Sequence, residues 1–218
     1  MYRDNPGRPI QLCTAVVDGI WDKKRELVNS RIPERFSDAS LSDLGYMTKP
    51  IGDSIQEVLD PPEKNDKVGV IFVGPAGSGK THSAYAVMNM LKDKNPEMIA
   101  TMVTYGQLMS SLKSEFANNS YDEMGSMWDK VNNESGMYDG LLMIDDLSSQ
   151  KLTDFEIDKM MMILERRLNS YMPFLITTNV KQEDFKKVFG ERLASRLFGY
   201  SNIVEFENRD TRLTGEYL

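Results

Sequence analysis

The stretch GPAGSGKT at residues 74–81 fits the pattern G-x-x-x-x-G-K-[ST] in full. It follows VGVIFVG at 68–74, a short β-branched run typical of a parallel strand buried on both faces. It precedes a segment at 81–91 whose apolar residues have helical spacing. A strand before and a helix after are the context in which this motif forms a phosphate-binding loop, so we predict one here. The alternative is a glycine-rich turn without a ligand.

Each part of the motif has a chemical reason to be present. Glycines allow a tight turn that brings backbone N–H groups close to phosphate oxygens, and the helix that follows offers its positive end. Lys80 would place a charge on the β- and γ-phosphates, and the Thr81 hydroxyl would complete a Mg²⁺ shell. The predicted ligand is therefore ATP with Mg²⁺. The residues predicted to bind it are Gly74, Pro75, Ala76, Gly77, Ser78, Gly79, Lys80 and Thr81.

Polar side chains end two further predicted strands. LLMIDDL at 141–147 would place Asp145 and Asp146 at the carboxyl edge of the sheet, beside the loop. We expect Asp145 to hold Mg²⁺ through water and Asp146 to orient the attacking water. FLITTN at 174–179 places Asn179 within reach of the γ-phosphate or that water, with Thr178 as a second candidate. The alternative for Asn179 is a turn residue at a strand end.

The segment GERLASRLFGY near the C-terminus carries two arginines four residues apart, which places them on one helix face. An arginine from a neighbouring subunit can stabilise charge on a transferred phosphoryl group. Arg196 is our candidate for this catalytic role, and Arg192 is the second. The alternative is a pair of surface arginines.

Strands alternate with helices along the chain, which predicts an α/β fold with a parallel sheet flanked by helices. Besides 68–74, we expect strands at 98–104, 141–147 and 174–178, and helices at 105–116 and 154–168. The ATPase domain would span 68–218. Residues 31–67 read as a linker laid against it, with a short helix at 51–59. Residues 1–30 contain an amphipathic helix, a possible partner-binding element, whose apolar stripe includes Val16, Ile20 and Trp21.

Composition limits the environment and the partners. The chain has 218 residues, a net charge of −7 and one cysteine. No apolar run approaches the roughly 20 residues that cross a bilayer, and the N-terminus lacks the layout of a secretory signal. These features favour a cytoplasmic protein without membrane contact. The charge argues against a broadly basic nucleic-acid surface, although several copies could assemble a basic groove.

Taken in order, these segments resemble the helicase-loader family of AAA+ ATPases, namely the DnaC and DnaI proteins and the transposon protein IstB. The resemblance runs from about residue 31 to the end. It includes RIPERFSDASLSDL, GPAGSGKTH, LLMIDDL, ITTN, ERLASRL and DTRLTGEYL.

The resemblance implies further roles. Arg196 would act in trans, Arg212 would be a sensor arginine on the nucleotide, and His82 extends the phosphate-loop motif. Phe36 and its neighbours would border the adenine, and Lys113 would contact DNA. The short N-terminal extension departs from the family and is typical of a compact version from a phage or mobile element. The chain leaves little or no room for a lid, which is similar to the DnaC group.

We therefore expect an ATP-dependent replicative helicase loader. It would self-associate with ATP into an oligomer, bind the helicase ring and promote its placement on single-stranded DNA. The alternative is an IstB-like transposition helper. A small-molecule P-loop kinase is disfavoured because no candidate lid arginines lie between the strands.

Overall fold

The structure is a computed structural model that describes residues 32–59, 67–94, 99–121, 126–132 and 140–207. The predicted amphipathic helix within 1–30 and the sensor candidate Arg212 lie outside these ranges. So does the part of the chain on which the expected absence of a lid depends.

The centre of the fold is a parallel sheet in which every described pairing runs in the same direction. Its strands follow one another in space as β2-β3-β4-β1-β5. Strands β1 and β4 are buried at every residue, which explains the apolar sequence of β1 and the apolar first half of β4. The predicted α/β fold with a parallel sheet is confirmed. The strands are β1 (Gly69–Val73), β2 (Ile99–Thr104), β3 (Gly140–Leu147), β4 (Phe174–Thr178) and β5 (Ser201–Glu205).

Helices connect the strands and cover both faces of the sheet, with one apolar cluster on each face. Those predicted from periodicity are present with slightly different ends; the helix after the phosphate loop begins one residue earlier and ends three residues later. The α-helices are α1 (Thr48–Leu59), α2 (Lys80–Lys94), α3 (Tyr105–Asn118), α4 (Met127–Asn132), α5 (Asp154–Asn169), α6 (Phe185–Phe189) and α7 (Glu191–Tyr200).

The segment before β1 differs from the linker that its polar composition predicts. It forms two 3-10 helices, Glu34–Phe36 and Leu41–Met47, followed by α1, which contains the short helix predicted at 51–59 and begins three residues earlier. Helix α1 buries Ile51 and Ile55 in the cluster that also contains β1. The described part of this segment is therefore part of the core, because apolar side chains three and four residues apart outweigh its polar background.

Strand β5 and helix α4 were not expected from the sequence. Strand β5 pairs with β1 at the edge of the sheet and buries Ser201 and Val204, whereas its middle residues are half-buried. An edge strand of five residues with mixed polarity gives no clear period-two signal. Its position matters because Phe206, which follows it, packs against the start of the phosphate loop.

Arg167 is buried in α5 with only 1% of its surface exposed. Its Nε donates to the Val131 carbonyl at 3.2 Å, and its Nη1 donates to the Gly140 and Pro173 carbonyls at 2.9 Å each. Burial lowers the pKa of this guanidinium to about 9. The side chain thus joins α4 to the points where β3 and β4 begin, at the end of the sheet opposite the phosphate loop.

Candidate nucleotide-binding site

The phosphate loop runs directly from β1 into α2. Gly77 and Gly79 have φ angles of 82° and 92°, a region that favours glycine. A Cβ atom at Gly74 would lie 2.8 Å from both the Cβ and the carbonyl oxygen of Phe206, so only glycine fits there. The loop conformation therefore depends on glycines of the motif for two distinct reasons, backbone angle and close approach.

Lys80 is the first residue of α2 and is 7% exposed. Its ammonium donates to the Gly74 carbonyl at 2.8 Å and to the Pro75 carbonyl at 2.7 Å. A buried charge needs such partners, and a phosphate group would be a stronger one. The ammonium is thus held over the loop, where phosphate oxygens would replace the carbonyls.

Two hydroxyl groups donate to the carboxylate of Asp145, which is 8% exposed. Thr81 Oγ1 lies 3.0 Å from Oδ1 and 3.2 Å from Oδ2 of Asp145, and Thr177 Oγ1 lies 2.6 Å from Oδ1. The structure thus brings together Thr81 and Asp145, the two residues predicted for the metal.

This pair of residues fits Mg²⁺. Hydroxyl and carboxylate oxygens are hard ligands, and Mg²⁺ is usually bound by one or two carboxylates together with substrate phosphates and several waters. Within the described ranges no group of three or more His, Cys, Asp or Glu side chains could hold a metal ion. A small donor set beside a phosphate loop is therefore the arrangement expected for a metal that arrives with the nucleotide.

Asp146 and Asn179 meet at the carboxyl edge of the sheet. Asn179 Nδ2 donates to Asp146 Oδ1 at 3.1 Å, and both side chains are exposed in the cleft. Asp146 has a φ angle of 57°, uncommon for a residue other than glycine. Strained backbone of this kind often marks a functional position. The two side chains are placed where they could contact the γ-phosphate and a water molecule together.

Thr178, the second candidate beside Asn179, does not face the cleft. It is fully buried, donates to the Leu147 carbonyl at 3.0 Å and accepts from the Val180 amide at 3.1 Å. Thr177 faces the cleft instead, and sequence reasoning missed it. The available signal was the period of two in a strand, which puts residue 177 on the same face as Asn179.

One wall of the cleft is aromatic. The rings of Phe36 and Tyr85 stack with centroids 4.3 Å apart, and the Arg35 guanidinium lies 4.6 Å from the Phe36 centroid. The His82 ring lies 6.1 Å from that of Phe36. Burial lowers the pKa of His82, against a smaller opposing effect of the Asp43 carboxylate. The flat rings of Phe36, Tyr85 and His82 suit a nucleobase, and the Arg35 guanidinium covers the outer ring.

The phosphate loop, the two acids, Asn179 and Phe36 line one cleft of about 580 Å³, with Tyr85 packed behind Phe36. Asn89 of α2 anchors its aromatic wall, since its amide donates to the carbonyls of Phe36, Ser37 and Ala39 at 3.0, 3.2 and 2.8 Å. The cleft is lined by Arg35, Phe36, Ala76, Gly77, Gly79, Lys80, Thr81, His82, Asp145, Asp146, Thr177 and Asn179.

The two candidate arginines lie on α7 and are not among the described residues that line this cleft. Arg196 is partly exposed and lies 3.8 Å from Glu165, while Arg192 is exposed. Neither position brings a guanidinium to the nucleotide site of its own subunit. This agrees with the expectation that Arg196 acts across a subunit interface, and the role itself stays a prediction.

The DNA-contact candidate Lys113 is partly engaged within the chain. Its ammonium lies 3.1 Å from Glu156 Oε1, and about half of its side chain is exposed. Among the described helices, none is long and apolar enough to cross a membrane.

A parallel sheet in the order β2-β3-β4-β1-β5, with a phosphate loop after β1 and two acids near the carboxyl end of β3, defines a P-loop nucleotide-binding domain of the AAA+ class. The family described as IstB-like ATP binding protein matches residues 59–216. The chain therefore belongs to the IstB-like ATP-binding family.

Related proteins and structures agree with this assignment. The replicative helicase loader DnaC of Escherichia coli (strain K12) is 31% identical over 149 residues, which are 67% of this chain and 58% of that protein. The crystal structure of the DnaC helicase loader matches with a TM-score of 0.65 at 22% identity, over 80% of this chain and 100% of that chain. The crystal structure of DnaI gives 0.61 at 21%, over 81% and 95%. The resemblance to DnaC-type loaders is thus confirmed; at these identities the structures show the fold.

Proposed function

We propose that this chain is an ATP-dependent loader of a replicative DNA helicase. The observation that carries the proposal is the convergence of Lys80, Thr81, Asp145, Asp146 and Asn179 on one cleft, in a chain similar to DnaC. The match spans 58% of the length of the E. coli protein. The helicase-loading activity and the partners of this chain are therefore part of our proposal.

ATP would bind with its base against the Phe36–Tyr85 stack and its phosphates on the loop. Lys80 would exchange its two carbonyl partners for β- and γ-phosphate oxygens. Thr81 and Asp145 would hold Mg²⁺, which when bound neutralises charge on those phosphates. The hydroxyl of Thr81 can continue to donate to Asp145 while its oxygen faces the metal.

Hydrolysis would depend on Asp146 and Asn179. The carboxylate of Asp146 would orient the attacking water and accept a proton from it. The amide of Asn179 would donate hydrogen bonds to that carboxylate and to the γ-phosphate, and so fix their relative positions. Arg196 from a neighbouring subunit would complete the charge stabilisation. The complete site therefore needs an oligomer, and nucleotide state would control assembly.

The partners follow from the same reasoning. DnaC of E. coli is named a replicative helicase loader, and we infer a helicase ring as the partner of this chain, contacted through residues 1–30 in the cytoplasm. Net charge of −7 gives one subunit little attraction for phosphate, so single-stranded DNA would bind to assembled copies, weakly and with strong salt dependence.

The direct test is a pull-down of purified candidate replicative helicases on the immobilised chain, with ATP, with ADP and without nucleotide. We expect retention of a helicase that depends on ATP and is lost in Lys80→Ala. Lys92→Ala on the same helix is the matched control and should bind as wild type does. Absence of helicase binding in every nucleotide state, with ATP binding intact, would contradict the loader function.

A transposition helper is the second candidate, because the matching family is described as IstB-like. A transposase offered in the same experiment distinguishes the two. ATP-dependent retention of the transposase together with binding to duplex rather than single-stranded DNA would favour this alternative. Phosphorylation of a nucleoside or nucleotide would instead indicate a kinase.

A further inference from the structure

The pairing of β3 with β4 slips by one residue at the cleft. Leu142, Met143 and Ile144 pair in sequence with Phe174, Leu175 and Ile176, and the next pair is Leu147 with Thr178. Two residues of β3, Asp145 and Asp146, therefore lie opposite the single residue Thr177. This is a β-bulge, which leaves backbone groups of the longer strand without a partner in the ladder and redirects side chains.

The Thr177 side chain satisfies one of these backbone groups. The amide of Asp146 donates to Thr177 Oγ1 at 2.9 Å. A backbone N–H can only donate, so the hydroxyl must accept there, and its one proton is left for another acceptor. That acceptor is Asp145 Oδ1, 2.6 Å away. The direction of the hydrogen-bond chain from Asp146 through Thr177 to Asp145 is thus fixed by chemistry.

Each of the two acids also accepts a hydrogen bond from a second side chain. Asp145 also accepts from Thr81, and Asp146 accepts from Asn179. Thr177 is 1% exposed, so water does not replace its hydrogen bonds. The acid expected at the metal and the acid expected at the attacking water are therefore connected through one buried hydroxyl.

We propose that Thr177 is a positioning residue that sets both acids at once. Its hydroxyl proton fixes the carboxylate of Asp145 toward the metal position, and its oxygen stabilises the left-handed backbone of Asp146 that directs the second carboxylate to Asn179. The proposal rests on the ATPase function proposed above. It adds a residue of β4 that is not expected to contact the nucleotide or the metal itself.

Two substitutions separate the hydroxyl from the shape of the side chain. Thr177→Val keeps the volume and the β-branch but can neither donate to Asp145 nor accept from Asp146. Thr177→Ser keeps the hydroxyl and loses a methyl group. Thr178→Val is the matched control, because that neighbouring hydroxyl is also buried in a bulge contact but bonds Leu147 rather than an acid.

The experiment measures binding of a fluorescent, non-hydrolysable ATP analogue at increasing Mg²⁺ concentrations, and then turnover of ATP. For Thr177→Val we expect the half-saturating Mg²⁺ concentration to rise and turnover to fall, each by about 10- to 100-fold, as for other groups that orient metal ligands. Binding without Mg²⁺ should stay at the wild-type level. Thr177→Ser should restore both values, and Thr178→Val should lower the melting temperature without changing the Mg²⁺ response.

The proposal is wrong if Thr177→Val keeps the wild-type Mg²⁺ response, or if Thr177→Ser is as impaired as Thr177→Val. A measurement without nucleotide separates it from the proposed function. Hydrogen exchange of the Asp146 backbone amide should be faster in Thr177→Val and restored in Thr177→Ser. Wild-type protein that binds no nucleotide would overturn the ATPase function alone; unchanged amide exchange in Thr177→Val would overturn the positioning role alone.

Discussion

The two sides of the nucleotide cleft are constructed differently. On one side, the phosphate loop and α2 form a continuous piece of chain in which backbone groups and one lysine face the ligand. On the other side, Asp145, Asp146 and Asn179 come from two strands and are aligned by side-chain hydrogen bonds. The first side is set by local backbone geometry, and the second depends on how β3 and β4 pair.

This difference predicts which step each side controls. Backbone amides at a helix start bind phosphate whatever its chemical state, so the loop side should govern affinity. The acid side holds groups that matter when the attacking water is oriented, so it should govern the rate. Substitutions on the two sides should therefore separate binding from hydrolysis.

The largest effect on turnover should come from Arg196, which lies outside both sides of the cleft. Arg196→Ala should leave the ATP affinity of an isolated subunit unchanged and remove the rise of turnover per subunit with protein concentration. At concentrations where wild type assembles, the loss should approach about a thousandfold, as for other arginine fingers. Turnover over a concentration series, with oligomers followed by light scattering, measures this.

Arg192→Ala, four residues earlier on the same helix, is the control for that experiment and should behave as wild type does. If Arg196→Ala keeps the concentration dependence and Arg192→Ala loses it, the trans-acting arginine is Arg192. A rate that falls at every concentration would indicate action within one subunit.

Lys80→Ala tests the loop side. Removing the charge that faces the β- and γ-phosphates should weaken ATP binding by at least about 100-fold, since hydrogen bonds to charged groups are worth about 1.5–3 kcal/mol each. Equilibrium titration with a fluorescent ATP analogue measures the affinity, with Lys92→Ala as control. Unchanged affinity would show that the loop does not place this lysine on the phosphates.

Asp146→Asn tests the acid side. The amide is the same size as the carboxylate but cannot accept a proton, so turnover should fall by about 100-fold or more while Mg²⁺–ATP still binds. Phosphate release and analogue titration are compared on the same preparation. Wild-type turnover would remove Asp146 from the water-orienting role, and lost binding would contradict the division between the two sides.

The smallest effect concerns the aromatic wall of the cleft around Phe36, which Asn89 of α2 anchors. Asn89→Ala removes the donor to three carbonyls around Phe36, leaving them partly unsatisfied. This should cost about 1 kcal/mol of unfolding free energy and lower the melting temperature by about 2–4 °C. Thermal unfolding with and without ATP checks this; the stabilisation that ATP gives should also decrease. A mutant that melts as wild type does would show that the wall does not depend on this residue.

The same contrast explains what could be predicted from the sequence. The loop side is one contiguous motif between a strand and a helix, so Gly74 to Thr81 were identified directly. The strands β1, β3 and β4 are buried on both faces and gave clear apolar runs. Asp145 and Asp146 are predicted because they end such a run, although the bulge determines the different directions in which their side chains point.

What was missed depends on contacts between distant segments. The period of two in a strand places Thr177 on the same face as Asn179, but nothing in LLMIDDL shows that β3 carries an extra residue opposite Thr177, so its contact with both acids is not visible in the sequence. Within the segment 32–59, only the helix at 51–59 is expected from the sequence, because serine, aspartate and proline outnumber the core residues and favour a linker. Leu44 and Met47 continue the helical spacing of Ile51, Ile55 and Val58, which is an available signal for the earlier part of the segment.

The buried guanidinium of Arg167 has a mechanical consequence for this site. It joins β3 and β4 where both strands begin, so their separation is fixed at that end of the sheet. Near the cleft, the ladder is interrupted by the bulge and completed by side chains. We expect the compliance of this strand pair to be concentrated at its nucleotide end. A small rotation about the fixed end would then translate a change at the γ-phosphate into a displacement of the catalytic edge, while the rest of the sheet keeps its shape.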